Sequence, residues 1–162
     1  METIAIEHYQ PSDFDAIKSF VESIQEYERA QVPELKPGTE IGLAYTTILI
    51  DTIVNQEGIV LVAKVGSIAI GFACAWIDSD DDPLLSDAAR SHAYVSDLFV
   101  DERYRRRGVA RLLLEAIDKE MLQRGCKRIR ICTKAFNQAA LNCYQANGYS
   151  AYEIILCKTL AT

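Results

Sequence analysis

Residues 93–121 constrain the fold of this chain more than any other segment. A β-rich run at residues 93–100 ends in the turn Arg105-Arg-Arg-Gly108. Val109, Leu113, Ala116, Ile117 and Met121 then recur at helical spacing, and Gly125 is placed to end that helix at its C-cap. A strand that runs directly into a helix needs a later strand to return to, and residues 127–133 supply one. The segment therefore predicts a mixed α/β sheet with a right-handed crossover.

The other elements fit around this unit. Residues 1–8 alternate polar and apolar side chains and read as a first strand. Pro11-Ser-Asp-Phe14 offers a helix start, and Phe14, Ile17, Phe20, Val21 and Ile24 form one apolar stripe. A second helix is expected over about 40–54, carrying Ile41, Leu43, Ala44, Ile48, Leu49 and Ile53. Residues 58–65 and 68–77, joined by Gly66-Ser67, read as a hairpin, and the acid- and proline-containing stretch 78–87 as an exposed loop. Asn137 is placed to cap a short helix ending at Asn147-Gly148, and residues 149–158 are expected as a last strand. The chain shows no repeat, low-complexity tract or linker, since 31–38 is too short to separate folding units. Residues 1–162, with 49% apolar side chains, thus read as a single domain.

Composition narrows the setting. The N-terminus lacks the basic patch and apolar stretch of a secretory signal, and no window approaches a membrane span, so a cytoplasmic protein with no membrane partner is expected. Cys74, Cys126, Cys132, Cys143 and Cys157 are scattered and odd in number, which fits reduced thiols and offers neither a disulfide framework nor a metal site. A net charge of −6 disfavours general nucleic-acid binding. An acidic chain with one basic cluster fits a small anionic cofactor at that cluster and a cationic substrate elsewhere.

The cluster sits where such a cofactor would bind. A small-residue turn opening a helix presents backbone N–H groups at the positive end of the helix dipole, which suits a phosphate or pyrophosphate. Gly108 and Ala110 are small enough to let it approach, although the same residues also fit a solvated loop with an N-cap. Arg105-x-x-Gly108-x-Ala110 after a strand resembles the signature Gln/Arg-x-x-Gly-x-Gly/Ala of the GNAT superfamily of acetyl-coenzyme A-dependent N-acetyltransferases. Downstream, Asn137-Gln-Ala-Ala140-Leu-Asn-Cys-Tyr144-Gln-Ala-Asn-Gly148-Tyr149 resembles that family's second motif. The resemblance covers about residues 93–158; earlier residues match only in element order.

The resemblance implies a GNAT fold: a mixed, mainly antiparallel sheet of 6–7 strands, split where the cofactor arm enters, with about four helices on both faces. It implies acetyl-coenzyme A or coenzyme A as cofactor. Leu98, Phe99 and Val100 would pair with the pantetheine arm, and the Leu98 amide would donate to the thioester oxygen. The turn Arg105, Arg106, Arg107, Gly108, Val109 and Ala110, with Arg111 behind it, would hold the pyrophosphate. Asn137 matches the asparagine that contacts the cofactor and is also a helix N-cap. Tyr144 matches the tyrosine that protonates the departing thiolate. A phenol near sulfur has the chemistry for that step, and Tyr144 also fits a core position beside Ala140 and Leu141.

The resemblance identifies neither the amine nor the base. Relatives carry Glu or His where this chain has Tyr94 and Ser96, so these two are expected at the acceptor side, and Asp97 is the nearest acid. Strand alternation places Asp97 opposite Tyr94 and Ser96, which makes a structural carboxylate as natural as a base. A chain of waters near Tyr94, Ser96 and Asp97 is the reading adopted. Cys132 stands where peptide N-terminal acetyltransferases tend to have glutamate, which weighs against a peptide acceptor. A covalent route through Cys132 lacks a paired base, since no motif links it to His8 or His92, and His92 is expected in solvent at a strand's start. The acidic loop fits steering of a cationic amine such as a polyamine or aminoglycoside, as well as simple solubility. The rival readings are a silent coenzyme A-binding module and an acetyltransferase of protein or peptide amines. A nucleotide-binding domain lacks its glycine-rich runs. The apolar Tyr152, Ile154, Ile155 and Leu156 are compatible with a homodimer.

Overall fold

The structure is a computed structural model that describes residues 3–159. They fall into two compact units, one ending at Cys132 and one beginning at Thr133.

The first unit is built on a five-stranded sheet in the order β1 (Ile4–His8), β2 (Ile59–Val65), β3 (Ile68–Ser79), β4 (Ser91–Val100) and β5 (Ile129–Ile131). The first four strands are antiparallel neighbours, and β5 joins β4 in parallel after the helical crossover that the strand–turn–helix segment demanded. Alternation along β2 and β3 supplies two cores. Leu61, Ala63, Ala73 and Ala75 meet α4 (Val109–Gln123) through Val109, Leu113, Ile117 and Met121. On the opposite face Val60, Val62, Phe72 and Cys74 pack under α1 (Phe14–Arg29) and α2 (Gly38–Asn55). Phe20 stacks between Phe72 and Phe99, at centroid distances of 6.1 and 4.9 Å. Each buried Leu, Ile or Phe contributes about 1.5–3 kcal/mol of transfer free energy, so both faces are needed to hold the sheet.

The α1 stripe and the α4 stripe lie where their spacing places them. In α2 the buried ridge runs instead through Gly42, Thr46, Leu49 and Ile53, leaving Leu43 and Ile48 64% exposed. Close packing is the reason. A Cβ on Gly38 would sit 2.5 Å from the Glu22 backbone oxygen and one on Gly42 would meet the Glu22 side chain, so the glycine side of α2 is the one that fits against α1.

Three further expectations need correction. The hairpin strand β3 runs on to Ser79, so Asp78 pairs with His92 and the ladder carries His92 inside. It is only 3% exposed, with Nδ1 3.1 Å from the Arg90 oxygen, not a solvated strand end. The acidic stretch therefore starts its loop at Asp80, whose carboxylate is held by Arg130 at 2.6 and 3.0 Å before the one-turn helix α3 (Asp87–Arg90). Residues 149–158 form no strand, so the described sheet has five strands, not six or seven. β propensity needs a ladder partner, and this run's Tyr152, Ile154, Ile155 and Leu156 remain exposed.

The second unit contains α5 (Gln138–Ala146). Asn137 caps it, its Oδ1 accepting from the Ala140 N–H at 3.1 Å. No described helix is long and apolar enough to cross a membrane.

Candidate functional site

The candidate residues of the first unit gather along β4 and the turn that follows it. β4 is paired on both sides only over Ala93–Val95, where β5 runs alongside. From Ser96 to Val100 its outer edge has no strand partner among the described residues, so the backbone there, except the Val100 oxygen that Arg105 takes, is open to pair with an extended ligand. Leu98, Phe99 and Val100 lie on this stretch, with Leu98 and Val100 on the α4 side and Phe99 on the α1/α2 side.

The strand is not regular at the point where it opens. Ala75 pairs with Val95 and Cys74 with Asp97, so Ser96 is an extra residue, a bulge. This overturns the placement of Asp97 opposite Tyr94. Tyr94 pairs with Trp76 and Asp97 with Cys74, and both partners belong to the α1/α2 face. One inserted residue resets the alternation and puts Asp97 and Tyr94 on the same side. Trp76 and Tyr94 meet edge to face at 5.3 Å.

The electrostatics of this face are those of a poorly solvated, acid-bearing site. Burial pushes the Asp97 carboxyl above the usual carboxylate range; the neighbouring Ser96 hydroxyl and the Tyr45 hydroxyl oppose the shift, and Glu28 adds to it. Tyr45 Oη donates to Asp97 at 3.3 and 3.4 Å, and its phenol is raised by burial and then by Asp97. Tyr94 is pushed up to about 12, first by burial and then by Cys132, to which it is hydrogen-bonded. Cys132 itself is exposed.

The turn after β4 is built for sharp bending. Asp101 starts a short 3-10 turn, accepting from the Arg103 backbone and holding the Arg103 guanidinium at 2.6 and 3.0 Å. Arg106 and Gly108 then adopt left-handed φ values of 61° and 82°. At Gly108 this conformation suits only glycine without strain, and a Cβ there would point into open space with nothing within 4 Å. That space would be the cradle of a phosphate bound at this turn. The first intrahelical bond of α4 runs from Leu112 N to Gly108 O at 3.0 Å, so the amides of Val109, Ala110 and Arg111 precede the ladder, as at any helix start.

The arginines divide their work. Arg105 folds back, its Nε donating to the Val100 oxygen at 3.1 Å and its guanidinium lying 5.9 Å from the Phe99 ring centre. Arg107 covers Tyr104, and Arg111 pairs with Glu115 at 3.7 Å. Arg106 has no ion-pair partner among the described residues and is exposed. The fit of this segment to a coenzyme A therefore rests on the open cradle, the helix amides and the unpaired strand edge more than on the number of positive side chains.

In the second unit Asn137 spends its side-chain oxygen on the cap of α5. Tyr144 lies on that helix, its ring 5.9 Å from the ring of Tyr149, and the Tyr149 N–H closes the helix on the Tyr144 oxygen at 3.0 Å.

Sequence reasoning missed Tyr45 and the Tyr94–Cys132 contact. A signal existed for the first: Tyr45 continues the line from Ile41 to Leu49 at the rim of a buried ridge, where a phenol, here 41% exposed, can send its hydroxyl to a polar partner.

Comparison with known proteins gives the family and the fold. The L-ornithine N5-acetyltransferase NATA1 of Arabidopsis thaliana is 34% identical over 71 residues, a match covering 43% of this chain and 31% of that protein, so the chain spans about a third of this relative. Among solved structures, the aminoglycoside N-acetyltransferase AAC(6')-Iy in complex with CoA superimposes with a TM-score of 0.71 at 20% identity, covering 99% of this chain and 96% of that one. A protein described as a putative acetyl transferase from Pyrococcus furiosus gives a TM-score of 0.74 at 22% identity, over 98% and 100% of the two chains. At such identities the likeness is one of fold. The profile described as the acetyltransferase (GNAT) family matches residues 19–149, most of the sequence, and the chain belongs to that family.

Proposed function

We propose that this chain is an N-acetyltransferase that moves an acetyl group from acetyl-coenzyme A to a primary amine of a small molecule, by direct attack in a ternary complex. The observation that carries the reading is the unpaired edge of β4 from Ser96 to Val100, running into a turn whose Gly108 cradle and helix amides are open. Residues 1–162 act as one domain in this reading, because a single family profile runs through both units.

Bound acetyl-coenzyme A supplies an activated acetyl group and a thiolate leaving group. The amides of Arg105 to Ala110 hold the pyrophosphate, with Arg106 and Arg111 adding charge. The β4 backbone at Leu98, Phe99 and Val100 orients the pantetheine arm, and the Leu98 N–H donates to the thioester oxygen. Asn137, its oxygen engaged in the cap, contacts the cofactor through its amide nitrogen. Asp97 takes the proton of the ammonium directly or through water, with Tyr94 and Ser96 lining the acceptor side, and Tyr144 returns a proton to the sulfur.

A cationic acceptor is favoured by the absence of a positive side chain among the groups that act on Asp97 and by the exposed acids Asp81, Asp82 and Asp87. The relatives named for ornithine and aminoglycosides acetylate amines of that kind. Five free cysteines fit a reducing cytoplasm. The exposed Ile154, Ile155 and Leu156 fit a homodimer, which sedimentation would read.

The test is thiol release from acetyl-coenzyme A across polyamines, aminoglycosides, amino acids and short peptides. Turnover is expected with one cationic small-molecule class, falling about a hundredfold in Tyr144→Phe. Cofactor binding without turnover on the whole panel would replace this reading with a silent coenzyme A-binding module. Turnover confined to the peptides would replace it with a protein acetyltransferase.

A further inference from the structure

A residue outside both motifs donates a hydrogen bond to the candidate base. Tyr45 comes from α2, and its hydroxyl donates to both carboxylate oxygens of Asp97 at 3.4 and 3.3 Å. The two are brought together by a tight α1/α2 packing on one side and by the Ser96 bulge on the other, since with Ser96 laddered in plain alternation Asp97 would face α4. The groups acting around this carboxylate are Tyr45 from α2, Glu28 from α1, Cys74 from β3, and Ser96 and Tyr94 from β4.

None of these five carries positive charge. Burial and Glu28 favour a protonated Asp97, and only the hydroxyls of Ser96 and Tyr45 favour the carboxylate. Tyr45 is suited to that task, because its own phenol is pushed up and keeps its proton through the range in which the carboxyl titrates. It is therefore a permanent donor and Asp97 the acceptor.

We propose that Tyr45 is the positioning residue of Asp97: its hydroxyl holds the carboxylate charged and turned toward the α1/α2 face, ready to accept the proton of the incoming ammonium. The assignment rests on the acetyltransferase reading above. In the step it serves, the substrate ammonium gives a proton to the Asp97 carboxylate, directly or through one water. The nitrogen lone pair is freed for attack, and the neutral Asp97 acid later returns the proton to solvent. Tyr45 neither gains nor loses a proton.

The experiment compares wild type with Tyr45→Phe in two ways: carbon-13 NMR titration of the Asp97 carboxyl, and the pH dependence of kcat/KM with the best amine of the panel. In Tyr45→Phe the Asp97 carboxyl should titrate at higher pH than in wild type. On the acid side of the profile kcat/KM should fall about tenfold, recovering toward wild type as pH rises, because the lost bond is one made to a charged group. A residue with a merely structural role would lower the profile evenly and leave the titration alone. An unchanged Asp97 titration, or an evenly lowered profile, overturns the proposal. If wild type acetylates no amine, the acetyltransferase reading falls by itself, and the NMR comparison still decides whether Tyr45 governs Asp97. If wild type is active and Tyr45→Phe matches it at every pH, the acetyltransferase reading stands and the role of Tyr45 falls.

Discussion

The two halves of β4 have almost the same composition and opposite duties. Ser91–Val95 is laddered on both sides over its last three residues, alternates regularly, and buries His92, Ala93 and Val95. Ser96–Val100 is laddered on one side only, begins with an extra residue, and leaves its first four side chains half-buried. Over Ala93–Val95 the first half commits its backbone to strands on both sides and gains stability. The second keeps one edge unpaired, a cost that a ligand pairing with that edge offsets. The bulge is the joint between them, and it selects which side chains face α1 and α2.

Removing that joint should give the largest effect. Deleting Ser96 removes the extra residue, so that Asp97 follows Val95 directly and the pairs from Asp97 to Val100 join a plain ladder with each side chain on its present face, while the local bend that aims this half of the strand is lost. The core pairing survives, so the effect falls on function: kcat/KM is expected to drop on the order of a hundredfold, the scale for misplacing reacting groups by about 1 Å, with little change in a urea melt. A deletion variant with wild-type activity would mean that the two halves are not distinguished by the bulge.

A smaller effect is expected at the end of the second half. Gly108→Ala introduces no clash, since nothing lies within 4 Å, but an alanine at φ 82° is strained by about 1 kcal/mol. Its methyl group also enters the cradle. We expect a modest loss in the melt together with a larger rise, about tenfold, in the KM for acetyl-coenzyme A, as one misplaced phosphate contact costs. An unchanged KM with the same loss of stability would make Gly108 a backbone requirement alone and detach the turn from the cofactor.

These two sites also mark what was legible in the sequence. The turn could be read because glycine and its neighbours at fixed spacing are a local signature, and the local conformation at Gly108 agrees. The apolar stripes of α1 and α4 could be read because periodicity reports burial directly. The bulge could not: Ser-His-Ala-Tyr-Val-Ser-Asp-Leu-Phe-Val reads as one unbroken strand, and only the register against Cys74 and Ala75 reveals the extra residue. The same long-range information was missing for His92, which is buried because β3 extends two residues into the acidic stretch. It was missing again for Asp80, which Arg130 on β5 holds from fifty residues away. Tyr45 needed the bulge to be known first.

The smallest predicted effect separates the two halves by sign. A side chain from the first half that is made smaller or polar should destabilise the fold, because Val95 and Ala93 are fully buried among apolar neighbours. Asp97→Asn should do the reverse at neutral pH. The Asp97 carboxyl is raised in the folded chain, so the folded state holds its proton more tightly than the unfolded one. A raised acid of this kind leaves stability untouched below the ordinary carboxylate range, where both states are protonated, and lowers it as pH climbs through the folded value. Asparagine has the shape of the neutral form and can still accept from Tyr45. The variant should therefore melt slightly higher than wild type at pH 7 and converge with it as the pH falls toward and below the ordinary carboxylate range, while losing the proton acceptor that acetyl transfer needs. A variant less stable than wild type at pH 7 would show that the Asp97 charge is held by its surroundings instead of tolerated for function, and the contrast between the two halves of β4 would reduce to one of backbone pairing.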